Sequence, residues 1–503
     1  MKDMKVAMVG LDGVGTELLL DAIKEFGLIN LKKFAKSILT LRSYPPYTPI
    51  AWTSILTGVD PNKHGIYGFI KIIRHKNMFN LKLNSSKDVL FPRIFEILAT
   101  KKRGIILNVP FIYPFKYVYG YRNCIMLSDY FSPKIKLWPE NLHAKYKYFL
   151  EDSVPPDFIE ENFSEAFIKF VSELIAGRTK LYLNLIETID WDFFICIFSV
   201  IDWLEHSIGF YNLQSLKENG REFYDYLKEI FRLIDYIVGK ILSETDFIVL
   251  TSDHGFSLKR IRVNIYNLLE HLKLMKIDII TKFRLAINYI AQCTRNPYVG
   301  ALFSIIRNFV NRHFFKINEL RLPVIYPEIL SFFLYTRKKA IREYLDQRAL
   351  VFGHKILMKF KRYSTFSSYV NKFSPDILMI ALDDVYVAPW GREIIESMSG
   401  IDHSLYNFVG FYFKRSVSML EHISLIKNLR LNNNESMPLL NLSIYDIAPL
   451  MLSAVGMLYP RFYNISPSLK SLLIRLYNDS AQKNIRNLYR RLLIRHKVRA
   501  LCY

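Results

Sequence analysis

The 503-residue chain has only four cysteines, Cys124, Cys196, Cys293 and Cys502, and none is close to another in sequence. That scarcity argues against a disulfide framework and against a C-x-x-C metal knuckle, and it suits a reducing interior. Long apolar runs are missing too. No uncharged apolar stretch reaches the length of a membrane-spanning helix. The N-terminus lacks a secretory layout, because Lys2 and Lys5 precede only the short run Val6 to Leu11, which stops at Asp12-Gly13. A soluble, cytoplasmic protein is the expectation. Low-complexity tracts and internal repeats are also absent.

Acidic residues are in deficit, with 46 Asp/Glu against 68 Lys/Arg and a net charge of +22. The deficit is local. Residues 257–374 hold 22 Lys/Arg against 6 Asp/Glu, and residues 466–503 hold 9 against Asp479 alone. The rest of the chain is close to neutral, so the basic character speaks about partners of those two parts only. What is plentiful is apolar surface: 51% of residues are hydrophobic and 23% charged, the composition of a folded protein long enough for a large core.

Short apolar runs alternate with helical patterns through the first 255 residues. Val6–Leu11, Gly104–Val109, Phe193–Val200 and Phe247–Thr251 read as buried strands. Leu18, Leu19, Ala22, Ile23 and Phe26 fall at helical spacing, as do the apolar residues of the stretch 158–186. The alternation predicts an α/β fold with a mainly parallel sheet covered on both faces. Residues 257–374 break this rhythm with a predicted basic, largely helical cap or insertion. The α/β pattern returns over 375–465, and 466–503 reads as a basic helical tail. The core is thus expected from 1–256 and 375–465.

The chemistry-bearing residues stand at the ends of the predicted strands. Asp12 follows the first run, Asp202 follows FFICIFSV, and Asp253-His254-Gly255 follows FIVLT. In open α/β sheets ligands bind outside the carboxyl ends of strands, so three acidic residues in that position converge. The segment GLDGVGT has the glycine spacing of a phosphate loop, but Thr16 and Glu17 stand where Lys and Ser/Thr belong. That argues against a nucleotide-triphosphate switch; a plain strand-to-helix turn is the commoner explanation, with a metal-ligand role for Asp12 as the other reading. Asp202 and His206 lie one helical turn apart, a spacing that suits a metal pair and equally a surface salt bridge. Asp253 and His254 are adjacent and reach one site only at a turn, which Gly255 permits. His403 sits in a turn-like context, where a lone histidine is more often structural than ligating. Thr48 lies in SYPPYTPIAWTSILTG, where Pro49 is expected to keep it out of helical geometry just ahead of a helix whose N-terminus faces an anion. A hydroxyl there becomes a nucleophile when a metal ion lowers its pKa; the plainer reading is a proline-rich turn into a buried helix.

Taken in order, GLDGVG, TPIAWTSILTGVDPNKHGIYGF, WDFFICIFSVIDWLEH, IVLTSDHGF, SGIDHS and YDIAPLMLSAVG resemble the alkaline phosphatase superfamily, and within it the type I phosphodiesterase/nucleotide pyrophosphatase family. The likeness spans about the first half and the 375–465 return. It implies a three-layer α/β/α core and two divalent metal ions. One ion would be held by Asp202, His206 and His403. The other would be held by Asp12, Asp253 and His254, with the Thr48 oxygen as an exchangeable ligand. This nitrogen and oxygen set suits zinc, with manganese or iron as alternatives. The implied reaction is metal-dependent hydrolysis of a phosphoric ester, on a phosphorylated small molecule or a nucleotide, with Thr48 as nucleophile and a phosphothreonine intermediate. Diester or pyrophosphate bonds are the first expectation; a phosphomonoesterase or phosphomutase-like activity is the alternative. A sulfatase would need an oxidisable Cys or Ser and an arginine that the Thr48 segment lacks.

A different class of function is a binding protein for an anionic membrane surface or nucleic acid. Residues 300–316 are apolar at helical spacing with Arg307, Arg312 and Lys316 opposite, and 486–495 is rich in arginine. A cap that supplies cations to an anionic substrate accounts for the same charge.

Overall fold

Strands with no polar face have to be covered on both sides. VAMVGL, GIIL, FFICIF and FIVLT are such runs, and every residue in them is buried. The computed structural model describes residues 4–75, 78–130, 132, 135–147, 165–277, 282, 333–336, 339–362, 373–388, 391–414 and 443–454. In chain order the strands that frame the site are β1 (Val6–Leu11), β2 (Leu39–Arg42), β3 (Gly104–Leu107), β4 (Cys124–Leu127), β5 (Leu137–Trp138), β6 (Phe193–Phe198), β7 (Phe247–Thr251), β8 (Gly255–Asn264), β9 (Val385–Ala388), β10 (Ile395–Ser404) and β11 (Tyr406–Phe413).

One eight-stranded sheet has the order β2-β11-β7-β1-β6-β3-β4-β5. Its five inner strands β7, β1, β6, β3 and β4 run parallel. β11 and β5 run antiparallel to their neighbours. Side chains alternate between the faces. Ala7, Val9 and Leu11 of β1 and Phe194, Cys196 and Phe198 of β6 enter one core, with Leu18, Leu19, Ala22 and Ile23 of helix α1 (Thr16–Glu25). The long helices Glu165–Thr188 and Tyr224–Glu244 close that side. Val6 and Met8, with Phe193, Ile195 and Ile197, enter the opposite core. There they meet Ala51, Trp52, Ile55 and Leu56 of helix α2 (Thr48–Thr57) and Leu452 of the helix Ile447–Ala454. The result is the expected three-layer α/β/α arrangement.

A second sheet of three strands, β9-β8-β10, continues from the end of β7. β8 begins at Gly255 and pairs antiparallel with β10, so that Phe256 lies opposite His403. The chain then turns at Leu405 and re-enters the main sheet as β11, pairing with β7. β8 therefore runs through the 256/257 junction at which the basic segment was expected to start. The described part of 257–374 holds both strands and helices, and the remainder of the expected helical insertion lies outside the described residues. Besides β8 the described part contributes the strands Ala349–Phe352 and Lys355–Arg362 of a four-stranded sheet, with short helices Ile265–His271 and Lys339–Leu345. The 300–316 stretch and the 466–503 tail lie outside the described residues. No described helix is long and apolar enough to cross a membrane.

Candidate active site

Parallel pairing sets the register of the site. Leu11 lies beside Phe198, and Gly10 beside Thr251, so β1, β6 and β7 end at one level. The residues that follow them, Asp12, Asp202 and Asp253, meet at this edge and are buried. Asp12 leaves β1 directly. Its neighbour Gly13 has φ +78 and donates its N–H to Asp253 Oδ1 at 3.3 Å. A Cβ on Gly13 would stand 2.9 Å from Asp202 Cβ and 2.9 Å from Glu205 Oε2, so only glycine allows this approach. Gly255 is required for closeness and not for a left-handed turn: a Cβ there would lie 2.8 Å from the Gly15 Cα and 2.8 Å from the Tyr406 carbonyl oxygen.

Helix α3 (Val200–Leu204) carries Asp202 and passes into a π-helical turn, Glu205–Gly209, that carries His206. Such a turn is rare and recurs at functional sites, because the extra residue per turn redirects side chains. His206 Nε2 stands 3.6 Å from Asp202 Oδ1 and 2.9 Å from His403 Nε2. His403 Nε2 is 3.8 Å from the same Asp202 oxygen. His254 Nε2 is 3.3 Å from Asp253 Oδ2 and 3.8 Å from both Asp12 Oδ1 and Asp202 Oδ1. Thr48 Oγ1 completes the group at 3.2 Å from His254 Nε2. Thr48 is itself the first residue of α2, one step further into the helix than its place before Pro49 suggested; proline is well tolerated in a first turn.

The outward nitrogens fix the tautomers. His254 Nδ1 donates to the Gly255 carbonyl at 3.1 Å, and His403 Nδ1 donates to the Pro46 carbonyl at 2.7 Å. Both Nε2 lone pairs therefore face the carboxylates. The His254 and His403 rings stack with centroids 3.7 Å apart, and Phe256 packs edge-on against His206, His254 and His403. Behind β10, the buried Lys259 ammonium donates to the carbonyls of His403 (2.7 Å) and Asp383 (2.5 Å). Asp383 accepts from the N–H of Leu405 at 2.7 Å, which pins the turn that follows His403.

Charge is badly balanced here. Burial raises the pKa values of Asp12, Asp202 and Asp253 well above the carboxylate range, and each is raised further by a neighbouring aspartate. Neither oxygen of Asp12, nor Asp202 Oδ1, nor Asp253 Oδ2 has a hydrogen-bond partner in good geometry; Trp52 and Ser199 lie near Asp12 and ease its position only in part. Burial also lowers His254 well below its usual range and brings His403 down to about 4. The His206 side chain is 39% exposed, yet its inner edge faces the cluster and loss of solvent there lowers it too. Buried carboxylates without donors, beside neutral imidazoles with inward lone pairs, fit divalent cations. Two sets of donor atoms lie mutually within 4.8 Å: Asp202, His206 and His403, and Asp12, Asp202 and His254. The first is the set implied by the family resemblance. In the second Asp202 takes the place given to Asp253, because the Asp202 carboxylate sits between the two sets while Asp253 turns one oxygen to Gly13.

All seven residues singled out in the sequence thus come together. Two others were not foreseen. Glu205, fully buried, is pushed upward by burial and by Asp202, Asp12 and Asp253. Its spacing from Asp202, three residues, was a usable signal. Tyr130 is raised by burial and then by Asp12 and Asp202, which places its phenol in the field of the cluster. Nothing in the sequence around it marks it out.

Type I phosphodiesterases/nucleotide pyrophosphatases match residues 6–387. The chain belongs to this family. Phosphoester hydrolysis is the family's chemistry, and this chain is a hydrolase of that kind. No curated protein matches its sequence. Among solved structures, phosphonoacetate hydrolase from Sinorhizobium meliloti 1021 in complex with phosphonoformate is similar, with a TM-score of 0.50, 13% identity, and coverage of 90% of this chain and 96% of that one. At that identity the likeness concerns the fold. An inactive form of murine ectonucleotide pyrophosphatase/phosphodiesterase 5, in complex with AMP, aligns at 10% identity over 93% of this chain and 99% of that one, with a TM-score of 0.49.

Proposed function

We propose that this family member hydrolyses phosphodiester or nucleotide pyrophosphate bonds by nucleophilic attack of Thr48 on phosphorus. The observation that carries the reading is Thr48 Oγ1, 3.2 Å from an unprotonated His254 Nε2 and in front of the uncompensated carboxylates. Asp202, His206 and His403 would hold one divalent cation, and Asp12 and His254 a second, with Asp202 between the two and Asp253 Oδ2 beside His254. Zinc suits this donor set, with manganese or iron as alternatives. When bound, the two ions supply Lewis-acid charge to the threonine oxygen and to the phosphoryl oxygens.

The chain's own residues do the rest. Burial in α2 fixes the Thr48 backbone, since all ten residues of the helix are buried and Thr53 and Thr57 return their hydroxyls to backbone carbonyls at 2.6 Å. Thr48 Oγ1 lies 3.2 Å from His254 Nε2, so both atoms can face one cation. Attack forms a Thr48 Oγ1–P bond and breaks the bond from phosphorus to the leaving oxygen, the hydroxyl proton passing through solvent to the departing oxygen, and gives a phosphothreonine that keeps any remaining ester group. Water then attacks the same phosphorus, releasing Thr48, and two in-line displacements give net retention. A phosphomonoesterase or phosphomutase-like reaction uses the same first step. Metal-reconstituted protein assayed on an aryl phosphodiester, an aryl phosphomonoester and an aryl sulfate, beside Thr48→Ala and chelated protein, tests the reading. The diester should turn over fastest, and both Thr48→Ala and chelation should abolish the activity; full activity in either sinks the mechanism.

A further inference from the structure

Among the carboxylates of the site, Glu205 is the one for which the reaction above has no use. Its side chain is 0% exposed and neither carboxylate oxygen has a hydrogen-bond partner. It follows Asp202 by three residues, which puts the two on one helix face, and it immediately precedes His206 in the π-helical turn. Its direction is fixed by Gly13, whose open Cα leaves room for Glu205 Oε2 against the Asp12-Gly13 turn. A buried carboxylate with no donor is costly, and solvent cannot repay that cost at a fully enclosed position. The neighbouring Asp12 oxygens are orphaned as well.

We propose that Glu205 supplies a fourth carboxylate to the cation centre, on the Gly13 side of Asp12, and draws that side toward hard, oxygen-preferring ions such as Mn²⁺. The inference rests on the metal-site reading above. Carboxylate oxygens favour Mn²⁺ and Mg²⁺, whereas imidazoles suit zinc, so the two halves of the centre differ in preference. Glu205 belongs to neither donor set, so it acts on the centre from one layer back. A carboxylate one layer back, in a water-poor interior, stabilises a cation through its field, and outer residues of this kind are worth about 10–100-fold in metal affinity.

The test is titration calorimetry of Mn²⁺, and separately Zn²⁺, into the metal-free full chain, with thermal unfolding of the same samples. Glu205→Gln keeps the shape and removes the charge. It should weaken Mn²⁺ binding by about 10–100-fold, and Zn²⁺ binding less, while the metal-free Tm holds or rises. Glu205→Asp, which keeps the charge but withdraws it, should fall between and serves if the glutamine variant does not fold. Unchanged Mn²⁺ affinity in Glu205→Gln overturns the proposal, as does a lowered metal-free Tm with unchanged affinity, which marks a packing role. Wild-type protein that binds neither ion overturns the metal-site reading itself, and this proposal with it.

Discussion

The inner and outer halves of the site are built on different principles. Asp12, Asp253, His254 and Thr48 are all at most 4% exposed, and each is placed by backbone: a strand end, a strand end, the residue after it, and the start of a buried helix. His206 and His403 are more open, at 39% and 13% of their side chains. They depend on a π-helical turn and on a strand-to-strand turn pinned by Lys259 and Asp383. Sheet register tolerates little change, because shifting a strand by one residue turns its side chains to the other face. Turns and clamps can relax. The inner half should therefore fail sharply when altered, and the outer half by degrees.

The largest expected contrast is in metal affinity. Asp12→Asn should weaken Mn²⁺ binding by more than about 100-fold, beyond what outer residues contribute, and His206→Ala by about tenfold. Calorimetry on the two variants measures both; equal losses would remove the distinction between the halves. Next in size is Gly13→Ala. At φ +78, with Asp202 and Glu205 against the missing side chain, alanine should cost about 1–3 kcal/mol of stability in backbone strain alone, measured by denaturant unfolding. The cost should be joined by a loss of metal affinity, since Gly13 also donates to Asp253.

The smallest effect at neutral pH lies away from the ligands. His64 is fully buried, accepts the Ile66 N–H at Nδ1 (3.1 Å) and donates from Nε2 to Ser54 of α2 (3.1 Å). Burial lowers its pKa to about 3. A histidine depressed in the folded state binds more protons when unfolded, so its neutral form favours folding fully above about pH 6.5 and that contribution is lost as the pH falls through about 3. His64→Gln should cost about 1 kcal/mol at neutral pH and flatten the stability profile between those two values. An unchanged acid slope would show that His64 does not anchor α2 through its neutral form.

The same contrast explains what could be read in advance. Asp12, Asp202 and Asp253 were legible because short buried strands are periodic and ligands gather at their carboxyl ends. Thr48 was legible from a long proline-marked segment, although its entry into the helix was not. His403 had no local signal and was placed by family order; only the antiparallel pairing of β8 with β10, residues 255–264 against 395–404, brings it beside Phe256. Sharing of Asp202 between the two donor sets depends on side-chain direction at an α-to-π junction, which spacing does not encode. Tyr130 reaches the cluster through tertiary packing against Trp203, with ring centroids 5.0 Å apart. Glu205 was within reach of spacing alone, since it stands between Asp202 and His206.

Covalent capture of Thr48 tests the central claim most directly. Metal-loaded protein mixed with an aryl phosphodiester, quenched in acid within one turnover and digested for mass spectrometry, should yield the α2 peptide phosphorylated or phosphoesterified at Thr48, and none from Thr48→Ala. Turnover with retained wild-type rate in Thr48→Ala, or a phosphorylated residue elsewhere in the chain, would contradict it.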